Sequence, residues 1–332
     1  MRRIPAVLLV AVVSIFVVTV LAAPVSALEI ERGDVRLVLH EETSRFSLYL
    51  HRDDAWTPLF VAEDPRTSAL DVLEGNRVLR IGDAGIFAQR VERTDNGARF
   101  VWASPTLEVV QEFSLTRGVR SEDFDAVEMR VSITNRGEEP SRIGARLLLD
   151  TYLGEGGNTH FVTPGTDRIN REARLSPGPV NAWVASVRSP EASWGFQIML
   201  SGEATTEPQA AVLANWKRLA DSSWDYEVNE TRDFNRLPYS INDSALLVLY
   251  PVEQLRSGDS YSVVAQMGDL SPQGYLSPQA AAETTGASPL LERLAELVDR
   301  LNALIASDDV DPEEVRTLQA ELETLADVIR GE

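Results

Sequence analysis

The chain of 332 residues contains no cysteine and carries a formal net charge of −20. The lack of cysteine excludes disulfides, thiol catalysis and cysteine-based metal sites, so the hydrophobic core alone must hold the fold together. A surface this acidic repels phosphate backbones, which argues against a nucleic-acid-binding function.

The N-terminus has the pattern of a signal peptide. Two arginines near the start precede an uncharged apolar run over residues 6–23. Pro24 ends the run, and residues 25–27 supply the small side chains that a signal peptidase requires. We predict that residues 1–27 are removed on export and that the mature protein is periplasmic or secreted, with no membrane span. Because the run is at the lower length limit for crossing a bilayer, an uncleaved membrane anchor is the alternative.

From residue 28 to residue 270, apolar and polar side chains alternate with a period of two in short runs separated by turn residues. Such runs are typical of half-buried strands, and no long helical period lies between them. The residue pair 96–97 and the stretch 135–137 lie between consecutive runs, where hairpin turns are expected. The pattern predicts a mainly β protein built as one large antiparallel β-sandwich. The predicted strands are residues 35–39, 46–50, 78–81, 98–102, 106–115, 126–134, 143–149, 180–187, 194–200, 244–250 and 260–267.

The composition changes after the sandwich. Residues 271–288 are rich in Ser, Pro, Gly, Ala and Thr and predict a linker. Leucines at helical spacing follow in residues 289–332, which we predict as an αα-hairpin whose helices begin near Ser288 and Asp311. Two helices cannot bury both apolar stripes against each other, so the hairpin is expected to dock on the sandwich, self-associate or bind a partner. The predicted partner contacts are Leu294, Leu297, Leu301, Leu322 and Leu325.

A glycine-rich loop is the first candidate for chemistry. The predicted strand over residues 143–149 runs into Asp150, and the loop that follows presents Glu155 and His160. These side chains could form an acid/base set or hold a divalent cation. The simpler interpretation is that Asp150 caps a turn, the glycines allow a tight loop and His160 is exposed. We favour this structural interpretation and predict no cofactor and no metal.

The long connection between residues 215 and 244 is the second candidate. It concentrates aromatic rings, amides and arginines, the groups with which proteins stack on sugars and bind their hydroxyls. The alternative is that the rings cover an open sheet face while the Asn and Asp side chains close turns. The predicted ligand-binding residues are Trp216, Trp224, Tyr226, Arg232, Arg236, Tyr239 and Asn242.

Two sequence runs carry a resemblance to a known family. Residues 131–137 read Val-Ser-Ile-Thr-Asn-Arg-Gly, and residues 146–154 read Arg-Leu-Leu-Leu-Asp-Thr-Tyr-Leu-Gly. Together they resemble a recurring pattern of the galactose-mutarotase-like β-supersandwich domains of sugar epimerases, polysaccharide lyases and exported bacterial proteins. The resemblance covers residues 29–270 and implies a supersandwich fold. Mutarotases use two histidines and a glutamate on facing strands, and only His160 with Glu155 comes near that set here, which favours a non-catalytic relative.

Two functions are compatible with these patterns. The leading hypothesis is a non-catalytic binding or scaffold protein of the periplasm or cell surface. Its sandwich recognises glycan or an envelope protein, and its hairpin mediates assembly, including homo-oligomers. The alternative is a carbohydrate-active enzyme, an epimerase or lyase, with His160, Glu155 and Asp150 as acid/base groups and Arg232 or Arg236 holding a substrate carboxylate. An enzyme requires the glycine-rich loop and the long connection to meet in one pocket.

Overall fold

A computed structural model describes residues 27–285 and Glu321. The chain forms twenty strands and two short α-helices within this part. The strands are β1 (Ala27–Arg32), β2 (Val35–His40), β3 (Arg45–Arg52), β4 (Ala55–Pro58), β5 (Ala69–Glu74), β6 (Arg77–Arg80), β7 (Ala88–Thr94), β8 (Gly97–Ala103), β9 (Leu107–Thr116), β10 (Ala126–Asn135), β11 (Ser141–Asp150), β12 (Phe161–Thr163), β13 (Thr166–Ile169), β14 (Ala173–Leu175), β15 (Trp183–Ser186), β16 (Phe196–Met199), β17 (Ala210–Asn215), β18 (Ser244–Leu249), β19 (Glu253–Leu255) and β20 (Ser260–Gly268). The helices are α1 (Trp216–Ala220) and α2 (Pro278–Thr285), and single 3₁₀ turns lie at Pro65–Thr67 and Pro179–Asn181.

The strands form three antiparallel sheets. The largest has nine strands in the order β13-β12-β15-β16-β20-β10-β9-β8-β7. The second has seven in the order β14-β17-β18-β11-β5-β6, with β19 pairing the start of β11. The N-terminal sheet is a meander of β1 to β4. The predicted mainly β, antiparallel architecture is therefore confirmed for the described residues.

Period-two alternation explains why the two large sheets pack face to face. Along β11, Ile143, Ala145 and Leu147 belong to the main core, whereas Arg146 and Leu148 face the other side of the seven-stranded sheet. In the same way, the alternate residues Val127, Met129, Val131 and Ile133 of β10 enter the core from the nine-stranded sheet. One apolar layer thus lies between the two sheets, as expected for a sandwich.

The outer face of the seven-stranded sheet is also buried. Leu148, Val212 and Leu247 form a second apolar cluster there, and α1 contributes Leu219 to it. The segment that follows β17 lies over this cluster, with Trp216, Tyr226 and Val228 packed against it. A chain segment rather than solvent therefore covers this face of the sheet.

A buried ion pair holds that covering segment in place. Asp71 of β5 is fully buried and receives Arg146 of β11 at 2.9 Å and Arg80 of β6 at 2.9 Å. The same Arg146 guanidinium donates to the carbonyl oxygen of Trp224 at 2.7 Å and to that of Ser223. The pair is thus also an anchor for the backbone of the covering segment, because each buried charge must find a partner.

The ends of the described chain pack on the sandwich. Phe46 of β3 lies against Phe113 of β9, with ring centroids 4.7 Å apart. At the other end, Thr116 donates to the carbonyl oxygen of Leu276 at 2.7 Å, and Ala281 of α2 is buried in the main core. The predicted linker over residues 271–288 therefore begins with residues that belong to the packed domain.

One predicted turn is wrong. Residues 135–137 were expected to close a hairpin, but β10 pairs with β9 and β20, whereas β11 pairs with β5, β18 and β19. The stretch is instead a crossover from one sheet to the other, because both flanking strands place one apolar face in the same core. The predicted turn at 96–97 does connect the antiparallel pair β7 and β8.

Residues 1–26 of the predicted signal peptide lie outside the described residues. The helical hairpin over residues 289–332, with its predicted contact leucines, lies outside the described residues apart from Glu321. Among the described residues, no helix is long and apolar enough to cross a membrane.

Candidate functional site

Three strand ends meet at one edge of the seven-stranded sheet. Asp150 ends β11 and pairs with Ala245 near the start of β18, and Ser244 pairs with Asn215 at the end of β17. Because neighbouring strands run in opposite directions, residues distant in sequence come together there. The glycine-rich loop and the long connection both leave the sheet at this edge.

The buried side chain of Asn215 organises the connection. Its amide nitrogen donates to the carbonyl oxygens of Phe234 at 2.9 Å and Asp243 at 3.1 Å, and to the hydroxyl of Ser240 at 2.9 Å. Its amide oxygen accepts from the backbone nitrogen of Lys217 at 3.1 Å, which caps the start of α1. One fully buried amide therefore holds both ends of the connection to the sheet.

These contacts leave an open cavity of 360 Å³. The Trp216 ring is held in it by a 2.8 Å hydrogen bond from its indole nitrogen to the carbonyl oxygen of Thr67. Tyr239, by contrast, is 79% exposed at the rim. The cavity is lined by Trp216, Lys217, Arg236, Tyr239, Ser240 and Asp243. We call it the aromatic cavity.

The two cationic side chains at the aromatic cavity share one acidic partner. Asp221 pairs with Lys217 at 2.5 Å and with Arg236 at 3.1 Å. Both cations are partly exposed, so these ion pairs orient the side chains without removing them from solvent. Each retains nitrogen–hydrogen donors for a bound polar molecule.

Three carboxyl groups cluster beside the cavity. Glu155 accepts from the backbone nitrogen of Ser244 at 2.9 Å, which brings the glycine-rich loop against the end of the connection. Burial, with the charges of Asp243 and Asp150 nearby, raises the pKa of Glu155 to about 8. Burial and the charge of Asp243 likewise raise the pKa of Asp150 to about 7. Asp243 also has a raised pKa, through burial.

This cluster can exchange protons near neutral pH. At pH 7 Glu155 largely retains its proton, and Asp150 titrates in the same range, so one can donate while the other accepts. Such pKa values are common in catalytic sites, although buried structural carboxyls also show them. Within residues 27–285 no group of three His, Cys, Asp or Glu side chains is placed to hold a metal ion.

His160 is not the exposed loop residue expected from the sequence. It is 1% exposed, and its ring lies against Phe234 with centroids 4.5 Å apart. Burial lowers its pKa to about 4, so the imidazole is neutral at pH 7. The loop folds back because Gly154 accepts from the His160 backbone nitrogen at 3.1 Å, and a Cβ at Gly154 would lie 2.3 Å from the His160 carbonyl oxygen.

The structure brings together part of the predicted ligand set. Trp216, Arg236 and Tyr239 line the aromatic cavity, and Asn242 lies between the cavity residues Ser240 and Asp243. The cavity is also lined by Lys217, Ser240 and Asp243, which the sequence pattern did not indicate as site residues. The sequence feature that could have indicated Lys217 is Asn215, which precedes Trp216. Asn215 caps the start of α1, and this capping places Lys217 at the cavity.

The other predicted ligand residues lie elsewhere on the covering segment. Trp224 lies over Gly144 on the outer sheet face, where its ring leaves no room for a larger residue, and its ring also faces the Arg146 guanidinium. Tyr226 donates to Glu172 at 2.9 Å. Arg232 is exposed, and its carbonyl oxygen accepts from the Glu172 backbone nitrogen at 2.9 Å.

Comparison with known proteins gives similarity of structure only. The sequence matches no protein-family profile and no curated protein. A galactose mutarotase-like protein from Lactobacillus casei is 10% identical, with a TM-score of 0.46 over 74% of this chain and 100% of that one. A galactose mutarotase-related enzyme from Lactobacillus acidophilus is 12% identical, with a TM-score of 0.40 over 74% of this chain and 98% of that one.

A polysaccharide lyase is also similar, at 12% identity and a TM-score of 0.41, over 73% of this chain and 33% of that chain. The chain therefore spans about a third of the lyase and nearly all of the two mutarotase-like proteins. These matches include the class that the sequence resembles. At such identities and TM-scores they carry no argument about chemistry, which must come from the residues themselves.

We expect replacement of His160 by alanine to lower the free energy of unfolding by about 2 kcal/mol, because it removes a buried ring packed on Phe234. Urea unfolding followed by tryptophan fluorescence measures the change. The matched control is Asn158→Gly in the same loop, an exposed position with φ of 52° that glycine adopts without strain. A His160→Ala protein as stable as the Asn158→Gly protein would contradict the structural role.

Proposed function

We propose that this chain is a non-catalytic carbohydrate-binding protein of the cell envelope and that the aromatic cavity is its binding site. The observation that carries the proposal is the pairing of Trp216 and Tyr239 with charged and hydroxyl groups in one preformed cavity. Hydrogen bonds from the Asn215 amide hold the connection in place before a ligand binds, so binding costs little conformational entropy.

The lining suits a sugar in both shape and chemistry. Aromatic rings offer flat apolar faces to the C–H groups of a pyranose, and Trp216 and Tyr239 are both part of the cavity lining. Lys217 and Arg236 supply donors and Asp243 supplies acceptors, which matches the hydroxyl groups around a sugar ring. The volume of 360 Å³ is within the range for small-molecule sites.

Replacing Tyr239 by alanine is expected to weaken saccharide binding roughly 2- to 10-fold, because an aromatic contact contributes about 0.5–1.5 kcal/mol. A glycan array selects the saccharide, and calorimetry measures its affinity. Leu237→Ala is the matched control, since Leu237 is in the same loop, 74% exposed, and not part of the lining. Equal affinities of the two variants, or an array on which no saccharide binds, would reject the aromatic cavity as a sugar site.

A second candidate function is a carbohydrate-active enzyme of the epimerase or lyase type. The raised pKa values of Glu155 and Asp150 favour it, because the two carboxyls border the aromatic cavity through Ser244 and Asp243. A protonated Glu155 could donate to a sugar oxygen while ionised Asp150 accepts a proton. His160 has no part in this version, since its buried ring is neutral and packed on Phe234.

If the enzyme hypothesis is correct, Glu155→Gln should lower kcat about 10²- to 10⁴-fold while leaving stability nearly unchanged, because the amide oxygen can still accept from Ser244. Polarimetry of aldose anomerisation and absorbance of unsaturated lyase products measure the activity. The control is Glu191→Gln at an exposed position. A wild-type activity that falls as pH rises through about 8 would identify Glu155 as the acid. Wild-type protein without activity would reject the enzyme hypothesis and leave carbohydrate binding as the proposed function.

We also propose that the protein is exported and that residues 289–332 mediate its assembly, on the basis of the N-terminal pattern and the leucine stripes of the sequence. Protein purified from the cell envelope should begin at Leu28 and elute as an oligomer. Leu297→Asp with Leu301→Asp should abolish assembly without changing the melting temperature of the β domain. A start at Met1 would reject cleavage, and an unfolded double variant would reject a separate assembly module.

A further inference from the structure

A second cavity of 360 Å³ lies where the outermost strands of the two large sheets are joined. β13 ends the nine-stranded sheet, β14 ends the seven-stranded sheet, and residues 170–172 connect them. Arg168, Arg171 and Arg174 come from these three consecutive pieces and line the cavity together. We call it the arginine groove.

The three arginines are exposed, and Asp233 is the nearest exposed acid to Arg171 for which an electrostatic interaction is found. None of them forms an ion pair with any residue in the described range 27–285. Glu172 lies among them but is 2% exposed, and its oxygens accept from Arg218, Tyr226 and Asn229 at 2.8–2.9 Å. Its charge is therefore directed into the protein rather than into the groove.

The other nearby acids leave the groove positive. Asp233 faces Arg171 across a backbone bridge, and its carboxylate accepts from the backbone and side chain of Asn235 at 3.0 and 2.8 Å. Glu230 is the one exposed carboxylate of the lining. Three arginines against two exposed acids, Glu230 and Asp233, leave a local excess of positive charge on a chain whose net charge is −20. The overall charge opposes a long polyanion, so the ligand group must be compact and locally held.

The arginine groove lies beside the aromatic cavity. Arg218 of α1 connects them, since it donates to Glu172 of the groove at 2.9 Å and to the carbonyl oxygen of Asn235 at 2.6 Å. Asn235 precedes Arg236, which lines the aromatic cavity. The Arg218 side chain and its two acceptors therefore lie between the two cavities.

We infer that the arginine groove binds the carboxylate of an acidic oligosaccharide whose neighbouring sugar occupies the aromatic cavity. This inference rests on the proposed carbohydrate function and adds the class of saccharide. Guanidinium groups match carboxylates in a two-point geometry, and such charge-assisted hydrogen bonds are about twice as strong as neutral ones. Charged side chains on edge strands also block strand addition, and that role alone predicts no ligand.

The test uses the full chain with trigalacturonate and its methyl ester, which has the same sugar backbone without charge. Calorimetry at low salt should show wild type binding the acid at least about 10-fold more tightly than the ester. The groove variant R168Q/R171Q/R174Q should bind both equally and at the ester's affinity. The control R120Q/R142Q/R256Q removes the same charge from exposed positions without ion pairs in the described range and should keep the preference.

Three results would overturn the inference. The first is wild type with no preference for the acid. The second is a groove variant that keeps the preference; if that variant also self-associates, the arginines serve only to block strand addition. The third is displacement of trigalacturonate by equimolar inorganic phosphate, which would indicate a simple anion site. Binding of a neutral saccharide that depends on Tyr239 in any of these cases retains the proposed function and rejects only the acidic ligand. Absence of all saccharide binding rejects both.

Discussion

The buried ion pair of Asp71 and Arg146 is the interaction on which the rest of the architecture depends. Both residues lie on the outer face of the seven-stranded sheet, where a period-two strand would otherwise present polar groups to water. Burial makes each charge costly unless it is paired and hydrogen-bonded. The remaining donors of Arg146 are satisfied by the carbonyl oxygens of residues 223 and 224, so the pair and the covering segment require each other.

The covering segment also changes the environment of the carboxyl groups at the candidate site. With Arg146 at one point and Asn215 at the other, the segment lies against the sheet, and the edge where β11, β17 and β18 meet is removed from water. Carboxyl groups at this edge lose solvation, which raises the pKa of Glu155 and of Asp150. The same geometry leaves the aromatic cavity open beside them, so the proposed sugar site lies next to the titratable carboxyls.

Electrostatics distinguishes two regions on this side of the protein. Near α1, the acids Asp221 and Glu172 pair with Lys217, Arg236 and Arg218, which fixes the segment on the sheet. Beyond Glu172, the arginines of β13 and β14 have no such partners among the described residues. The acids near α1 therefore serve the fold, whereas Arg168, Arg171 and Arg174 line one groove without ion pairs among the described residues.

The sequence by itself predicted eleven of the twenty described strands, because alternation of apolar and polar residues is a local property that follows from the pleat. It also identified the loop at Glu155 and the connection at Trp216 as unusual. It could not determine which strands share a sheet, so residues 135–137 were taken for a hairpin. Nor could it show that His160 is buried or that Asp243 joins Glu155, since burial and proximity depend on strand register between residues far apart in the chain. Only the tertiary structure decides those contacts, and with them the charge of each group and the shape of the cavity.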